Sequence, residues 1–392
     1  MGRSPEVVAL GELARAEEEL PPEERRYGPV LARARDGSDQ SYLLFRPLRF
    51  SLAELAPATP LAPADGCQWR LSYSCTSECV VLQRLLEDHG FVPAAAASSN
   101  LIWSGSHVKP SVLLALNQFQ KVNHFPRSYE ITRKDLLVRT LAAMRERHGA
   151  AAVDFLPESY VLPADTEALH AAMGREPATW IAKPIASSRG RGISLVQRPH
   201  QLPADDAVVS RYISRPLLID GYKFDMRFWV AVTSFEPLRA YVYDEGLARF
   251  STEQYRHTDA CTASLHNQYM HLTNYSINKR SARFVPNADA DADDVGNKWS
   301  LSALRRCLAH NGVDVDAVFA RIDGVILKTL LAVEPSVTAG VRRYCSHRRS
   351  CFELFGFDVI LDENLKPWLL EVNLSPSLAV DSPLDLRLKS RM

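Results

Sequence analysis

Three polar residues near the C-terminal end of the sequence combine in a way that suits a divalent cation. Residues 351–375 read CFELFGFDVILDENLKPWLLEVNLS. Two apolar runs, 354–361 and 368–374, flank the turn-forming Asp362-Glu363-Asn364, a strong hairpin signal. Each run carries polar groups that a buried strand has no use for: Asp358 on the first, Glu371 and Asn373 on the second. Side chains alternate faces along a strand, so Glu371 and Asn373 share one face. With the turn centred on Glu363-Asn364, Leu365 pairs with Asp362 and Leu369 with Asp358. That places Asp358 on the face of Glu371, one diagonal step away. Like charges on apolar strands repel and are costly unless compensated. The ligands offered are hard oxygens without Cys or His, which favours Mg²⁺ or Mn²⁺ over Zn²⁺. Mg²⁺ held this way completes its shell with water and nucleotide phosphates. The plainer alternative is a hairpin whose acids face solvent on one side.

Other charged strand faces recur upstream. Lys183 is the one charged residue in the apolar run 180–185, and Ser187-Ser188-Arg189-Gly190-Arg191-Gly192 follows it. Two glycines in a strand–loop–strand let backbone N–H groups approach phosphate. No Gly-Lys-Ser/Thr follows, so this is not a Walker A loop, and a surface turn explains it equally well. Residues 223–230 alternate strictly, with Lys223, Asp225 and Arg227 on one face and Phe224, Met226 and Phe228 on the other. Residues 239–250 answer as an antiparallel partner.

Composition narrows the function classes. The chain has 392 residues, with 46 Lys+Arg against 46 Asp+Glu, so no overall basic charge advertises nucleic acid. No apolar run reaches transmembrane length, and residues 1–10 lack a signal-peptide core. Seven cysteines without Cys-x-x-Cys pairs suit free thiols in a reducing compartment.

The elements that must position these residues follow in order. Residues 1–65 read as a mobile Ala/Glu/Pro-rich leader with one short helix near 7–20. Ordered structure is expected from an alternating strand at 68–73. Thr76 would cap a helix that Gly90 stops, and short strands at 91–92 and 101–103 complete a small α/β unit. Pro110 opens a helix through Lys121. Thr132 with Asp135 resembles a capping box for a helix over 136–147, ended by Gly149. Lys298 and Trp299 begin a helical region. Asp314 caps a later helix, which Pro335 should kink or end. The expected parts are a leader 1–65 and a catalytic domain 66–392, divided into 66–130, 131–205 and 206–392.

Together these segments resemble the tubulin tyrosine ligase-like family, whose fold is an α/β ATP-grasp. The matching stretches are Gly105-Ser106-His107 with Lys109-Pro110, KVNHFPRSYEIT at 121–132, KPIASSRGRG at 183–192, residues 210–213 and 223–227, EGLARF at 245–250, HLTNYSIN at 271–278, Asn297-Lys298-Trp299 and EVNLSPSL at 371–378. The resemblance covers roughly 67–392 and lies nearest the polyglutamylases. It implies an ATP- and Mg²⁺-dependent ligase that adds free L-glutamate to glutamate side chains in the acidic tails of tubulin, through an acylphosphate. It implies that Lys183, Arg189 and Gly190 meet ATP phosphates and that Ser210, Arg211, Tyr212 and Ile213 lie against adenine. Lys223, Phe224, Asp225, Thr273 and Asn274 would line the nucleotide site, and Arg227 would face the γ-phosphate. Asp358, Glu371 and Asn373 would hold the metal. Arg249, Tyr275, Ser276, Lys298 and Lys389 would bind the incoming glutamate. Arg189 would also meet the acceptor carboxylate, which leans towards initiating the branch.

The implied partners are microtubules, with no nucleic acid or membrane, and the implied state is a monomer in the cytoplasm and cytoskeleton, at a basal body or centrosome. Polyglutamylases of this kind continue into a basic extension. The end at Met392 therefore reads as a short isoform or fragment. Glycylation or tyrosination, and a nucleotide-binding adaptor without chemistry, are the competing readings. The basic cluster Arg249, Lys298 and Lys389 favours an amino acid with an extra carboxylate, and the complete metal trio favours chemistry.

Overall fold

The strict alternation of residues 223–230 builds the middle of the main sheet. The strand Tyr222–Phe235 lies between Leu238–Gln254 and Glu353–Leu361, with Lys298–Ser300 and Pro367–Asn373 on the outer sides, all neighbours antiparallel. Phe224, Met226 and Phe228 are sealed in the core. Phe224 packs on Phe250 at 5.4 Å between centroids, and Phe228 meets Phe319 edge-on at 6.0 Å. Phe319 belongs to the helix Val315–Tyr344, whose buried stripe includes Val318, Ile322, Val325, Ile326, Leu330, Val333 and Val337. Each such side chain stabilises the fold by about 1.5–3 kcal/mol relative to exposure. Asp314 caps this helix as expected, accepting from Ala317 N at 3.0 Å. Pro335 neither ends nor interrupts it: the helix continues to Tyr344. The carbonyl that loses its partner is that of Leu331, whose residue is exposed, so water can take the place of the missing N–H.

The computed structural model describes residues 30–33, 41–44, 71–77, 79–256, 265–289 and 291–392. They divide into two units, Met1–Ser104 with Leu378–Met392, and Gly105–Ser377. The main sheet belongs to the second. So does a four-stranded antiparallel sheet in the order Ser159–Val161, Ala207–Arg211, Trp180–Pro184, Ser194–Val196. Its core face holds Trp180, Ala182 and Val209, packed with Leu162 and Leu169. Lys183, opposite Val208, points the other way. The helix Lys134–His148 ends at Gly149, with φ 85°, but it starts earlier than expected and lacks a side-chain cap. Thr132 instead lies at the end of a preceding turn of helix and donates to Ser128 O, and Asp135 accepts from Arg133. Lys298 and Trp299 form an edge strand; the next helix, Leu301–His310, is capped by Ser300.

In the first unit Ser72–Cys75 pairs in parallel with Val92–Pro93 and Leu101–Trp103, crossing over through Val80–Asp88. Thr76 makes no cap there, and the helix at Pro110–Ala115, in the second unit, is shorter than expected. The stretch read as a leader contains one short antiparallel pair, Val30–Arg33 with Ser41–Leu44. The helix expected near residues 7–20, and residues 68–70 of the first strand, lie outside the described residues. The fold is mixed α/β, as the sequence implies. Among the described residues no helix is long and apolar enough to cross a membrane.

Candidate active site

The two charged rows expected on separate strands are cross-strand partners. Arg227 sits opposite Asp358, Asp225 opposite Arg249, and Arg249 opposite Lys298. Arg227 Nε and Nη2 both donate to the Asp358 carboxylate, the second at 2.9 Å. Arg249 donates from Nε to Asp225 Oδ1 at 2.8 Å, and its Nη2 also reaches Asp225 Oδ2 and, at 2.9 Å, Asp358 Oδ2. Burial alone would push the Asp358 carboxyl up, but the Arg227 and Arg249 guanidinium groups outweigh it and hold it well below the usual carboxylate range. Burial likewise works against the charge on Arg249, and Asp225 and Asp358 overcome it.

The hairpin register differs from the expected one in two compensating steps. The turn is longer: Asp362 N donates to Lys366 O at 3.1 Å and Leu365 takes a left-handed φ of 61°, so Leu361 pairs with Pro367 and Val359 with Leu369. Leu370 then bulges out, and Asp358 faces Glu371 directly. Leu369 is therefore not Asp358's partner. The shared face of Asp358, Glu371 and Asn373 survives because the two shifts cancel in parity.

Glu371 differs from its neighbour. Its half-buried carboxylate has no hydrogen-bond or ion-pair partner among the described residues, and burial, then the Asp358 charge, raise its pKa. Asn373 turns its Nδ2 towards Gly356 O (3.1 Å) and Asp358 Oδ2 (3.5 Å), leaving its oxygen as the other end of the amide. An unpaired carboxylate beside an ionised one, with an amide oxygen adjacent, fits a hard divalent cation. Asp358 offers only what its two arginines leave.

Asp358 and Glu371 open onto a solvent-exposed cleft lined from both sheets. Lys183, Arg189, Gly190, Ser210, Arg211, Tyr212, Ile213, Lys223, Asp225, Thr273, Asn274, Asp358 and Glu371 all line it. Lys183 Nζ donates to the carbonyl of the bulged Leu370 at 3.3 Å, and burial lowers its pKa against the pull of Glu371. Lys223 Nζ donates to Tyr212 Oη at 2.8 Å and to His271 O at 2.9 Å; burial brings its pKa down to about 7 although Asp225 raises it. The loop after Lys183 is tied to the segment after His271: Ser276 Oγ donates to Arg189 O at 2.8 Å. Gly190, at φ 78°, lies so close that a Cβ would come within 2.5 Å of Ile277 Cδ1 and 2.9 Å of Asn274 Oδ1. On its outer side, Arg189, Arg191, Lys279 and Arg280 line a second depression.

Some sequence candidates lie elsewhere. Phe224 turns its ring into the core and is not part of the cleft lining. Arg227, Arg249 and Asn373 stand behind the lining, around Asp358. Buried Lys298 places Nζ 3.9 Å from the Tyr275 ring centroid, a cation–π contact. Lys389 belongs to the other unit, where it is buried, pairs with Asp385 at 3.1 Å and donates to Ala379 O. One residue was missed. Lys134 lines the cleft and donates from Nζ to Ser187 O at 2.6 Å, where the glycine loop begins. A signal existed: a lysine in the first turn of a helix opposes the macrodipole and asks for another reason to be there.

The model of the tubulin-tyrosine ligase family matches residues 113–392. The chain is 47% identical over 331 residues to "Tubulin polyglutamylase TTLL5" of Mus musculus, covering 83% of this chain and 25% of that protein. It is 46% identical over 290 residues to "Tubulin monoglutamylase TTLL4" of Homo sapiens, covering 74% and 24%. It is 42% identical over 344 residues to "Tubulin polyglutamylase ttll-5" of Caenorhabditis elegans, covering 83% and 47%. The chain spans about a quarter of the length of the mammalian relatives and about half of the nematode one. With its mixed α/β architecture of the ATP-grasp kind, the chain belongs to the tubulin-tyrosine ligase family.

Proposed function

We propose that the chain is an ATP- and Mg²⁺-dependent ligase that joins free L-glutamate to glutamate side chains in acidic tubulin tails. The observation that carries this is the unpaired Glu371 carboxylate beside Asp358, in a cleft that also receives Lys183 and Lys223. A site that gathers carboxylates and ammonium groups on one cavity suits a cation and a polyanion together.

In this reading Ser210, Arg211, Tyr212 and Ile213 border the base, and Asp225, Thr273 and Asn274 line the nucleotide site. Lys183 and the backbone of Arg189 and Gly190 hold phosphate oxygens, and Arg227 supports the γ-phosphate end through Asp358. Asp358, Glu371 and Asn373 would hold the metal, which would supply charge neutralisation to the phosphates. The acceptor carboxylate attacks the γ-phosphorus, a P–O bond to ADP breaks, and an acylphosphate forms. The amine of glutamate then attacks that carbonyl; inorganic phosphate leaves and the amine loses a proton.

Arg249, Tyr275, Ser276 and Lys298 are assigned to free glutamate. Since Arg249 already carries two carboxylates, its contribution in the free protein is to the charge of the wall. Arg189, with the neighbouring basic depression, is assigned to the acceptor tail, consistent with starting a branch. The corresponding place of action is the cytoskeleton, at a basal body or centrosome, with the chain acting as a monomer. The names of the relatives support this substrate class.

The test is incubation of the chain with ATP, Mg²⁺, microtubules and labelled glutamate, with parallel reactions in labelled glycine and tyrosine, followed by mass mapping of the tails. Glutamate on internal side chains is the expected product. Incorporation of glycine or tyrosine instead, or none of the three, would overturn the assignment.

A further inference from the structure

Lys223 is buried in the middle of the main sheet, yet it lines the cleft. An ammonium has three donors. Two are taken, by Tyr212 Oη at 2.8 Å and His271 O at 2.9 Å, and no further hydrogen-bond partner appears among the described residues. The cation also lies 4.4 Å from the centroid of the Tyr212 ring. Tyr212 Oη in turn lies 2.9 Å from His271 Nδ1. The Tyr212 hydroxyl also meets the hydroxyl of Tyr255, whose own proton goes to Ser214 O. An arrangement that uses each proton once runs from Lys223 N–H to Tyr212 Oη, and from Tyr212 O–H to His271 Nδ1. His271 Nδ1 is then the acceptor.

His271 thus grips the ammonium twice, once with its own carbonyl and once with its ring through Tyr212. Its position is fixed in both senses. It ends the short helix Gln268–His271, capped by Asn267, and its ring meets Tyr212 and Tyr255 edge-on at 5.6 and 5.8 Å. Tyr255 is itself anchored by donating to Ser214 O at 2.9 Å. His271 is buried in this cluster and, with Thr273 and Asn274 two and three residues on, lines the cleft.

We propose that His271 is a positioning residue for nucleotide binding: its ring holds the Tyr212 hydroxyl so that Lys223 keeps one donor for an acceptor on the ligand. This rests on the ATP-dependent reading of the cleft. Without the ring acceptor the Tyr212 hydroxyl can rotate and satisfy itself elsewhere, and the ammonium loses a fixed partner in a site where charge is already costly.

The experiment measures ATP affinity by titration calorimetry on the full chain at pH 6, where Lys223 carries its third proton, for the unaltered protein and for His271→Ala, His271→Asn and Tyr212→Phe. The acceptor oxygen of Asn can stand near the place of Nδ1. His271→Ala should weaken ATP binding by about tenfold, the loss of one fixed hydrogen bond. His271→Asn should recover most of it. Tyr212→Phe should match His271→Ala, and the double variant should be no worse than either, because both cut the same chain. Should His271→Ala fail to fold, Tyr212→Phe and His271→Asn decide. ATP bound by the unaltered chain and equally well by the variants overturns this inference alone. Equal weakening in His271→Ala and His271→Asn, or additive losses in the double variant, also overturns it. No ATP binding by the unaltered chain overturns the ligase reading and this inference with it.

Discussion

Asp358 and Glu371 face each other across the final hairpin, and one carboxylate is held by two guanidinium groups while the other has no partner among the described residues. The pair is therefore not redundant. Removing charge from one side should damage the fold, and from the other only the chemistry.

Glu371→Gln should leave thermal stability within about 1 kcal/mol of the parent, since no ion pair is broken. It should nevertheless abolish glutamate incorporation. Asp358→Asn leaves Arg227 and Arg249 facing a neutral amide in a buried site, a change that costs about 3 kcal/mol. Denaturant melts of the two variants check the contrast. Equal destabilisation would show that Glu371 has a structural partner after all.

Gly190→Ala should act locally. A left-handed φ costs a side-chain-bearing residue about 1 kcal/mol, and the added methyl also strikes Ile277 and Asn274. The loop must lift away from Asn274, so the ATP concentration needed for half-maximal rate should rise by roughly tenfold, while the unfolding midpoint barely moves. A normal ATP requirement would mean that the loop does not close on the nucleotide.

Lys134→Met separates helix stability from function. Removing a cation from the first turn of Lys134–His148 should stabilise that helix by about 0.3–1 kcal/mol. The same change cuts the tie to Ser187 O and removes one positive charge from the cleft, so the ATP requirement should rise. A variant both more stable and equally active would remove Lys134 from the site.

Lys223 should make nucleotide binding pH-linked. Its pKa of about 7, against 10.5 for an ordinary lysine, means that it is mostly neutral at pH 8. An anionic ligand beside it, with Asp225 and Lys183 as the other facing charges, raises that value, so ATP binding should take up protons at pH 8 and almost none at pH 6. For folding the sign is the reverse of a salt bridge. The cost of a depressed lysine is present in full below about 7 and is relieved as pH rises towards 10.5. Calorimetry in buffers of different ionisation heat reads the uptake directly; release of protons at pH 8 would contradict it.

Much of the site was readable from residue types alone. Alternation put Lys223, Asp225 and Arg227 on one face, and parity gathered Asp358, Glu371 and Asn373, because those rules depend on the pleat and not on distant contacts. Residues 239–250 were readable as the antiparallel partner of 223–230, but the register of opposing residues across the sheet was not. Nothing local says that Arg227 lies opposite Asp358, or that Arg249 reaches Asp225. The hairpin face came out right through two errors, a turn too short and a bulge unseen. Pro335 misled because a proline whose lost acceptor faces water can remain inside a long helix held by its apolar stripe. The capping box at Thr132 misled because Thr132 ends a preceding helical turn and donates to Ser128 O, while Asp135 accepts from the Arg133 guanidinium. Lys134 was passed over because a basic residue at a helix start looks like solvent-facing decoration until the opposing loop is seen.

The bulge at Leu370 makes the hairpin's phase and its carbonyl chemistry separable. With this turn, straight pairing through Leu370 would set Leu370 against Asp358 and carry Glu371 to the apolar side. The extra residue steps aside and restores the pair. Excising Leu370 altogether would also leave Val359 against Leu369 and Asp358 against Glu371, in an unbroken ladder. What the shortened strand could no longer offer is the outward carbonyl that receives Lys183. A single-codon deletion would therefore keep both acids in place while unmooring the lysine across the cleft, a lesion that no side-chain replacement can reproduce.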